Sequence, residues 1–387
     1  MENTAFEFPR LILLGATGSV GEQAVDVALR QKIPVVALSA NKNYKRVAEL
    51  SRLLGVRAVA MADCEAARML RTELMGTGVK VYGGADGILE MIAETPADFA
   101  LNAIVGEAGL LPTLSALDAG LHLALANKES LVVAGELVMK KAAGRGLRIT
   151  PVDSEHSAIF QSLRAGTGKE IKKLILTASG GPFFGKTREE LSGVTVRDTL
   201  AHPTWQMGAK ITVDSATLMN KGFEVIEAAH LFAVKPENIE VLVHRESIVH
   251  SMVEFCDNSV IAELSVPDMR LCVQYALTAP VRTEAVIPEL DLSKIGSLTF
   301  KKPDTETFPT LTLAREMLTR GGGAPAALNA ANEVAVSAFL AGKIPFLRIF
   351  EILSRVTADL PHAAKAQTLN AIMDIDKEAR ERAKAML

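Results

Sequence analysis

Two patterns of apolar positions alternate along the first 150 residues. Short continuous apolar runs occur at Arg10–Leu14, Ile33–Ala40, Val56–Met61, Val79–Tyr82, Asp98–Val105 and Leu121–Ala126. Between them, apolar residues recur at helical spacing. A strand covered on both faces gives a continuous run, and the helix covering it gives a period near 3.6. The order therefore predicts repeated βα units and a parallel sheet. The pattern then changes. Leu147–Pro151 and Ile171–Thr177 read as single strands, and Ile239–His244, Ile248–Phe255 and Val260–Val266 as three strands of an antiparallel piece. Residues 290–307 read as a connecting segment with one strand-like run, Ser297–Phe300. From Phe308 to Leu387 the pattern is helical. The fold class is thus α/β: a parallel sheet over 1–150, an α+β centre over 151–289 and a C-terminal helical domain over 308–387.

The first turn adds chemistry to the pattern. Gly15-Ala16-Thr17-Gly18-Ser19-Val20-Gly21 stands between the first strand and a helix reaching Arg30. Strand, glycine turn and helix in this order form a phosphate-binding turn. Gly15 allows the tight turn, Gly18 lets the backbone approach a pyrophosphate, and Gly21 permits close packing. The helix N-terminus supplies N–H donors for the anion. The sheet is therefore read as Rossmann-like. After the second strand the chain reads Asn41-Lys42-Asn43, where an NAD-specific fold carries an acid for the ribose hydroxyl. A cation between two amides suits a 2'-phosphate and favours NADPH. The competing role is a helix cap at Asn43 with a solvated Lys42. Asn127-Lys128-Glu129 follows the sixth run, at the carboxyl edge where open α/β sheets bind ligands; a cap at Asn127 is the alternative.

A second set of polar residues lies outside the sheet. In an extended segment, Asp153 and Glu155 would project to one side. Two carboxylates joined by a third suit a hard cation such as Mg2+ or Mn2+. The stretch His202–Glu227 offers that third ligand. Read as a helix beginning near Ser215, it sets Asn220, Lys221, Glu224 and Glu227 on one face and Val225, Ile226, Ala228 and Ala229 on the other flank. Taken alone, the same stretch also fits a solvated amphipathic helix, and Asp153–Ser157 a capped helix start. Ser179-Gly180-Gly181 after a strand offers a hydroxyl and amides to a phosphate. The single tryptophan, Trp205, lies between His202 and Gly208 in a segment read as a flap near 202–210. His244 and His250 are read as structural. Asn329, Asn332 and Glu333 interrupt an apolar helix and carry no assigned chemistry.

Composition excludes more than it selects. A net charge of −3 gives no electrostatic case for nucleic acid. No apolar run reaches the ~20 residues needed to span a bilayer, and the opening MENTAFEFPR has no apolar stretch of signal-peptide length. Cys64, Cys256 and Cys272 lie far apart, which fits a reducing, cytoplasmic location.

These segments, taken with others, resemble the 1-deoxy-D-xylulose 5-phosphate reductoisomerase family over nearly the whole chain. The matching motifs are GATGSVG at 15, ANKN at 40, ANKES at 126, PVDSEHSAIFQ at 151 and LTASGGPF at 176. They continue with HPTWQMGAKITVDSATLMNKGFEVIEA at 202, VHSMVEF at 249 and ALNAANEVAV at 327. The resemblance implies conversion of 1-deoxy-D-xylulose 5-phosphate, a sugar phosphate, to 2-C-methyl-D-erythritol 4-phosphate in non-mevalonate isoprenoid biosynthesis. It implies NADPH, a divalent cation (Mn2+, Mg2+ or Co2+) and a homodimer. By motif, Asp153, Glu155 and Glu224 would hold the metal. Ser179, Ser215, Asn220 and Lys221 would bind the phosphate, and Ser154 and Lys128 the other substrate oxygens. His202 would close over the site with Trp205 and Met207. Thr17, Gly18, Ser19, Val20, Asn41, Lys42, Asn43, Asn127, Glu129 and Gly208 would contact NADPH. Lys128, Asp153, Glu155, Glu224 and His202 would carry the catalysis. Two departures stand out: Asn41 where members often have glycine, and Arg245-Glu246 where Pro-Gln is expected.

Two other classes compete. A semialdehyde dehydrogenase needs a nucleophilic cysteine at a helix start, and none of the three cysteines has that context. A homoserine-type dehydrogenase shares the glycine-rich opening. A non-catalytic NADPH sensor would need neither three acids nor an Asn-Lys pair beyond the cofactor fold.

Overall fold

The computed structural model describes residues 8–205 and 207–387. The first seven residues of the expected N-terminal domain and Gln206 of the expected flap lie outside the described residues. The chain forms two compact units. The first comprises residues up to Asn127, Lys140–Asp153 and Asp268–Pro288; the second comprises Lys128–Met139, Ser154–Pro267 and Glu289–Leu387.

The first unit holds the expected parallel sheet. Its strands are β1 (Leu11–Leu14), β2 (Val35–Ala40), β3 (Ala58–Met61), β4 (Lys80–Gly83), β5 (Phe99–Asn102), β6 (His122–Leu125) and β7 (Ile149–Pro151). Their spatial order is β4-β3-β2-β1-β5-β6-β7. All of β1 is buried, as a strand covered on both faces must be. The order reverses at β1, where Leu14 sits between Ser39 of β2 and Asn102 of β5. Crossovers leave β1 and β5 on opposite sides there, which opens a crevice at their carboxyl ends. The segment from Asp268, expected in the central domain, joins this unit. Its helix Met269–Thr278 packs on the helix Ser19–Gln31, and Arg270 Nη1 donates to Asp26 Oδ2 at 2.9 Å.

The second unit is built on β8 (Ile171–Ala178), β9 (Ile239–Val243), β10 (Val249–Phe255) and β11 (Val260–Leu264), in the order β11-β10-β8-β9. The expected three-strand antiparallel piece is corrected here. β10 and β11 pair antiparallel, but β9 lies beyond β8 and runs parallel to it. The long crossover from β8 to β9 contains buried helices, and such a connection returns the chain in its original direction. Ser297–Phe300 forms no strand; a single bridge joins Lys301 to Val243. The tail is helical as expected, with helices Thr310–Arg320, Ala324–Leu340, Phe346–Ala358 and Leu369–Lys384. Ala324–Leu340 is buried around nearly its whole circumference and packs on the two helices that follow it.

Candidate active site

The stretch expected to be one helix from Ser215 is two. Helix Ala209–Ala216 ends at Thr217, and helix Met219–Phe232 begins after Leu218, whose φ is 62°. The Thr217 hydroxyl donates to the carbonyls of Val213 and Asp214, and the Thr310 hydroxyl donates to the Thr217 carbonyl. The bonds to the Asp214 and Thr217 carbonyls satisfy backbone groups at the break. The second helix is not solvated on its polar side. Lys221, Glu224 and Glu227 are buried together with Phe223, Val225, Ile226 and Ala228. Helical spacing does bring the predicted polar face together: Asn220 Nδ2 donates to Glu224 Oε1 at 2.5 Å, and Lys221 contacts Glu224 directly.

Asp153 and Glu155 also differ from expectation. The segment is not extended through Glu155, because helix Ser154–Ser162 starts one residue earlier. Glu155 lies in its first turn, where a carboxylate is favoured by the helix dipole. One oxygen from each of Asp153, Glu155 and Glu224 lies within 4.8 Å of the others. A cation about 2.1 Å from each oxygen nearly spans that distance. Lys221 Nζ sits among these acids, 2.8 Å from Glu155 Oε1, and Lys128 Nζ is 3.4 Å from Glu224 Oε1 and 3.6 Å from Glu227 Oε2. His156 Nε2 lies 2.9 Å from the Glu224 carbonyl, which can only accept, so this nitrogen carries the proton. Ser154 hydrogen-bonds Glu155.

The donors suit a hard divalent ion. They are oxygens, and Asn220 Oδ1 is buried with no hydrogen-bond partner among the described residues. In the second unit, Glu129, Glu155, Asp214, Glu224 and Glu227 outnumber Lys128, Lys210 and Lys221. A buried excess of negative charge is costly without a further cation.

Lys210 was not singled out from the sequence, yet it is a hub. Its ammonium is 2.8 Å from Glu129 Oε1 and 2.9 Å from Asp214 Oδ2, and it lies over the Phe223 ring. Burial disfavours its charge, but the two carboxylates outweigh this and raise its pKa. Burial likewise pushes Glu129 upward, and Lys210 more than reverses the effect, so Glu129 stays ionised. Asn332 Nδ2 donates to Asp214 Oδ1 at 2.8 Å, which gives that polar position of the apolar helix its role. Four-residue spacing in Lys210-x-x-x-Asp214 was the available signal.

The Ser179 turn is shaped by its two glycines rather than by buried acids. Gly180 and Gly181 have φ of 76° and 67°, and a Cβ on Gly181 would come 2.7 Å from the Ser215 carbonyl. The turn thus packs directly on the end of helix Ala209–Ala216. Ser179 Oγ accepts from the Gly181 amide at 3.2 Å and lies 3.0 Å from His202 Nε2. His202 Nδ1 accepts from the amides of Thr204 and Trp205, so Nε2 bears the proton and donates to Ser179. Burial, then the charge of Arg245, lower the His202 pKa to about 4, which keeps this neutral form. The Trp205 ring lies 6.2 Å from that of His250, whose Nε2 bonds the Ser265 carbonyl. Met207 is half-buried, and Gly208 caps the helix that follows.

In the first unit, Thr17, Gly18, Ser19 and Val20 form the turn and the start of helix Ser19–Gln31. Gly15 has φ of 83°, and a Cβ there would lie 2.6 Å from the Ala103 carbonyl oxygen. A Cβ on Gly21 would overlap the Gly15 and Ala16 backbone, whereas Gly18 meets only the Gly15 oxygen at 3.4 Å. Asn43 Oδ1 accepts from the Arg46 amide, so it is the cap. Asn41 and Lys42 are exposed, and Lys42 is 4.0 Å from Asp63. Asn127 Nδ2 donates to the carbonyls of Ile104 and Gly106 at 2.7 and 2.8 Å, pinning the loop after β5.

Family profiles cover most of the chain. "1-Deoxy-D-xylulose 5-phosphate reductoisomerase" matches residues 11–135, its C-terminal domain 149–232, and "DXP reductoisomerase C-terminal domain" 264–382. The chain belongs to the 1-deoxy-D-xylulose 5-phosphate reductoisomerase family. The family's enzyme from Acetivibrio thermocellus is 51% identical over 373 residues, 96% of this chain and 97% of the relative. The fold agrees: a structure of the Zymomonas mobilis enzyme in complex with NADPH superposes with a TM-score of 0.91 at 41% identity, covering 98% of this chain and 99% of that one. A second member, in complex with NADPH, fosmidomycin and magnesium, matches with a TM-score of 0.91 at 38% identity, covering 97% and 98%.

Proposed function

We propose that this chain converts 1-deoxy-D-xylulose 5-phosphate to 2-C-methyl-D-erythritol 4-phosphate with NADPH and a divalent cation, as a step of isoprenoid precursor biosynthesis. The observation that carries the reading is the meeting of Asp153, Glu155 and Glu224 beside Asn220 and Lys221 in a member of this family. When bound, a divalent ion held by the three acids would supply Lewis-acid polarisation of the hydroxyketone oxygens, and NADPH would supply hydride.

The chain's own residues orient and neutralise. Ser179, Ser215, Asn220 and Lys221 receive the phosphoryl group, with the Ser179 hydroxyl aligned by His202 and Gly181. Holding the non-reacting end of the substrate converts binding energy into orientation. His202 donates as a neutral ring, so it adds a directed hydrogen bond without a charge that would need its own counterion. Ser154 and Lys128 meet the remaining substrate oxygens. Lys128 and Glu129 assist proton movement, Glu129 as a carboxylate held ionised beside Lys210. Trp205 and Met207 exclude water from the pocket. Thr17, Gly18, Ser19, Val20, Asn41, Lys42, Asn43, Asn127, Glu129 and Gly208 contact NADPH, with Lys42 toward the 2'-phosphate.

The same reading divides the chain functionally into a cofactor segment (1–150), a catalytic and dimerisation segment (151–289), a connector (290–307) and a helical support (308–387). It includes a homodimer and a cytoplasmic location. Among the described residues no helix is long and apolar enough to cross a membrane. The test follows NADPH absorbance with 1-deoxy-D-xylulose 5-phosphate. Oxidation should require both substrate and metal, stop with chelator and return with Mg2+ or Mn2+. Tight NADPH binding without turnover under any metal would sink the reading. Light scattering should give about twice the 41.3 kDa chain mass.

A further inference from the structure

Arg245 lies beneath the Ser179 turn. Its Nη1 donates to the carbonyls of both Ser179 and Gly181, each at 2.7 Å. The guanidinium also lies 5.1 Å from the Phe184 ring centroid, and Lys301 lies 5.6 Å from that same centroid. Two cations thus flank one ring next to the turn. The charge of the neighbouring Glu246 acts on Arg245, but its carboxylate is bonded elsewhere. Its Oε1 accepts from the Thr299 hydroxyl at 2.7 Å, and its Oε2 is 3.0 Å from His244 Nδ1.

Geometry gives the clamp a direction. Across a trans peptide, C=O and N–H point oppositely. With the Ser179 carbonyl held on Arg245, the N–H of that peptide, which belongs to Gly180, points away from the guanidinium. The Gly181 carbonyl is held too, and the left-handed conformations of Gly180 and Gly181 are thereby fixed. Successive amides in such turns form anion-binding concavities. A fixed positive charge behind the turn adds to the attraction for an anion in front of it. Arginine remains charged at any working pH, even where burial lowers its pKa as here.

We propose that Arg245 is a positioning residue for the phosphoryl group: it clamps the Ser179–Gly181 turn from behind and makes the pocket electrostatically selective for a dianion. The proposal rests on the assignment of Ser179 to the substrate phosphate, and the test separates the two. In S179A, KM for 1-deoxy-D-xylulose 5-phosphate should rise; if it does not, the phosphate assignment itself is wrong. In R245Q, which retains a donor but not the charge, KM should rise by about 10-fold, the scale of one net hydrogen bond to a charged group. The inhibition constant of inorganic phosphate should rise with it. The fall in kcat should be smaller than the rise in KM, and KM for NADPH should not move. R245K should recover most of the lost phosphate affinity. If R245Q does not fold, R245K and R245M are compared instead, and only the former should bind inorganic phosphate near the wild-type level. A KM and a phosphate inhibition constant unchanged in folded R245Q, alongside a raised KM in S179A, would overturn the proposal. So would equal losses in R245K and R245M.

Discussion

The glycine turn at Gly15–Gly21 and the acid cluster around Glu224 are built in opposite ways. The turn uses backbone. Its features, from the φ of Gly15 to the close packing of Gly21, come from seven consecutive residues and bring no ionised side chain into the interior. The cluster uses side chains from separate segments: Lys128, Asp153, Glu155, Lys210, Asp214, Lys221, Glu224 and Asn332. It buries opposite charges against one another, which contributes little net stability but makes the loss of any single member expensive. A backbone site should therefore fail by steric strain, and the cluster by uncompensated charge.

The largest effect tests the cluster at its centre. Glu224→Gln preserves shape and removes the charge shared by Lys221, Lys128 and the metal site. Metal affinity should fall by at least about 100-fold, and turnover with it, in a protein whose circular dichroism is unchanged. Wild-type rates at ordinary metal concentrations would contradict the assignment. Next comes Lys210→Met, which strands Glu129 and Asp214 against each other. Breaking a buried pair in this way costs about 3–5 kcal/mol. Denaturant unfolding measures this, and a change within about 0.5 kcal/mol, the range of an ordinary surface substitution, would mean that the acids simply protonate.

The turn should respond more mildly. Gly21→Ala places a methyl group against the Gly15 and Ala16 backbone, and overpacking costs about 1–3 kcal/mol. Weakened NADPH binding should accompany it, while metal affinity measured without cofactor stays the same. An equal loss at both sites would erase the contrast drawn between them.

The smallest effect concerns His202. Its pKa is about 4 in the folded chain against an ordinary value of 6.5. Between those values the unfolded chain binds the extra proton, so this group's contribution to stability is present above pH 6.5 and is lost as pH falls toward 4. His202→Asn keeps an acceptor for the Thr204 and Trp205 amides but does not titrate. The fall in melting temperature between pH 7 and pH 5 should be smaller in this variant than in wild type. Equal falls would show that His202 is not held neutral by its surroundings.

Sequence patterns exposed the two sites unequally. The first six strands of the parallel sheet occur where short apolar runs predict them, because strands inside a covered sheet leave a local signature, whereas β7, read as a separate strand, joins the same sheet. The face shared by Asn220, Lys221 and Glu224 was visible for a similar reason, since helical spacing is local. The break at Leu218 was not visible. It depends on Thr310 meeting the Thr217 carbonyl from a helix 93 residues away. Nor was the parallel pairing of β9 with β8, because strand direction is set by how a long crossover returns. Arg245 stands out in the sequence only as a departure from the family pattern, and its role rests on the Ser179 and Gly181 carbonyls more than 60 residues away; Lys210 joins its near neighbour Asp214 to the distant Glu129.

By itself, then, the sequence determined the order of elements, the glycine turn and, through long ordered motifs, the family. Each is written in neighbouring residues or in a short repeat. Tertiary structure alone decided that Lys221 lies among the acids it was expected to stand beside, that Asn332 reaches Asp214, and that Arg245 braces the Ser179 turn. Those pairings are chosen by burial: a charge removed from water must take whichever opposite charge or dipole the folded chain brings within reach, and no local pattern specifies that partner.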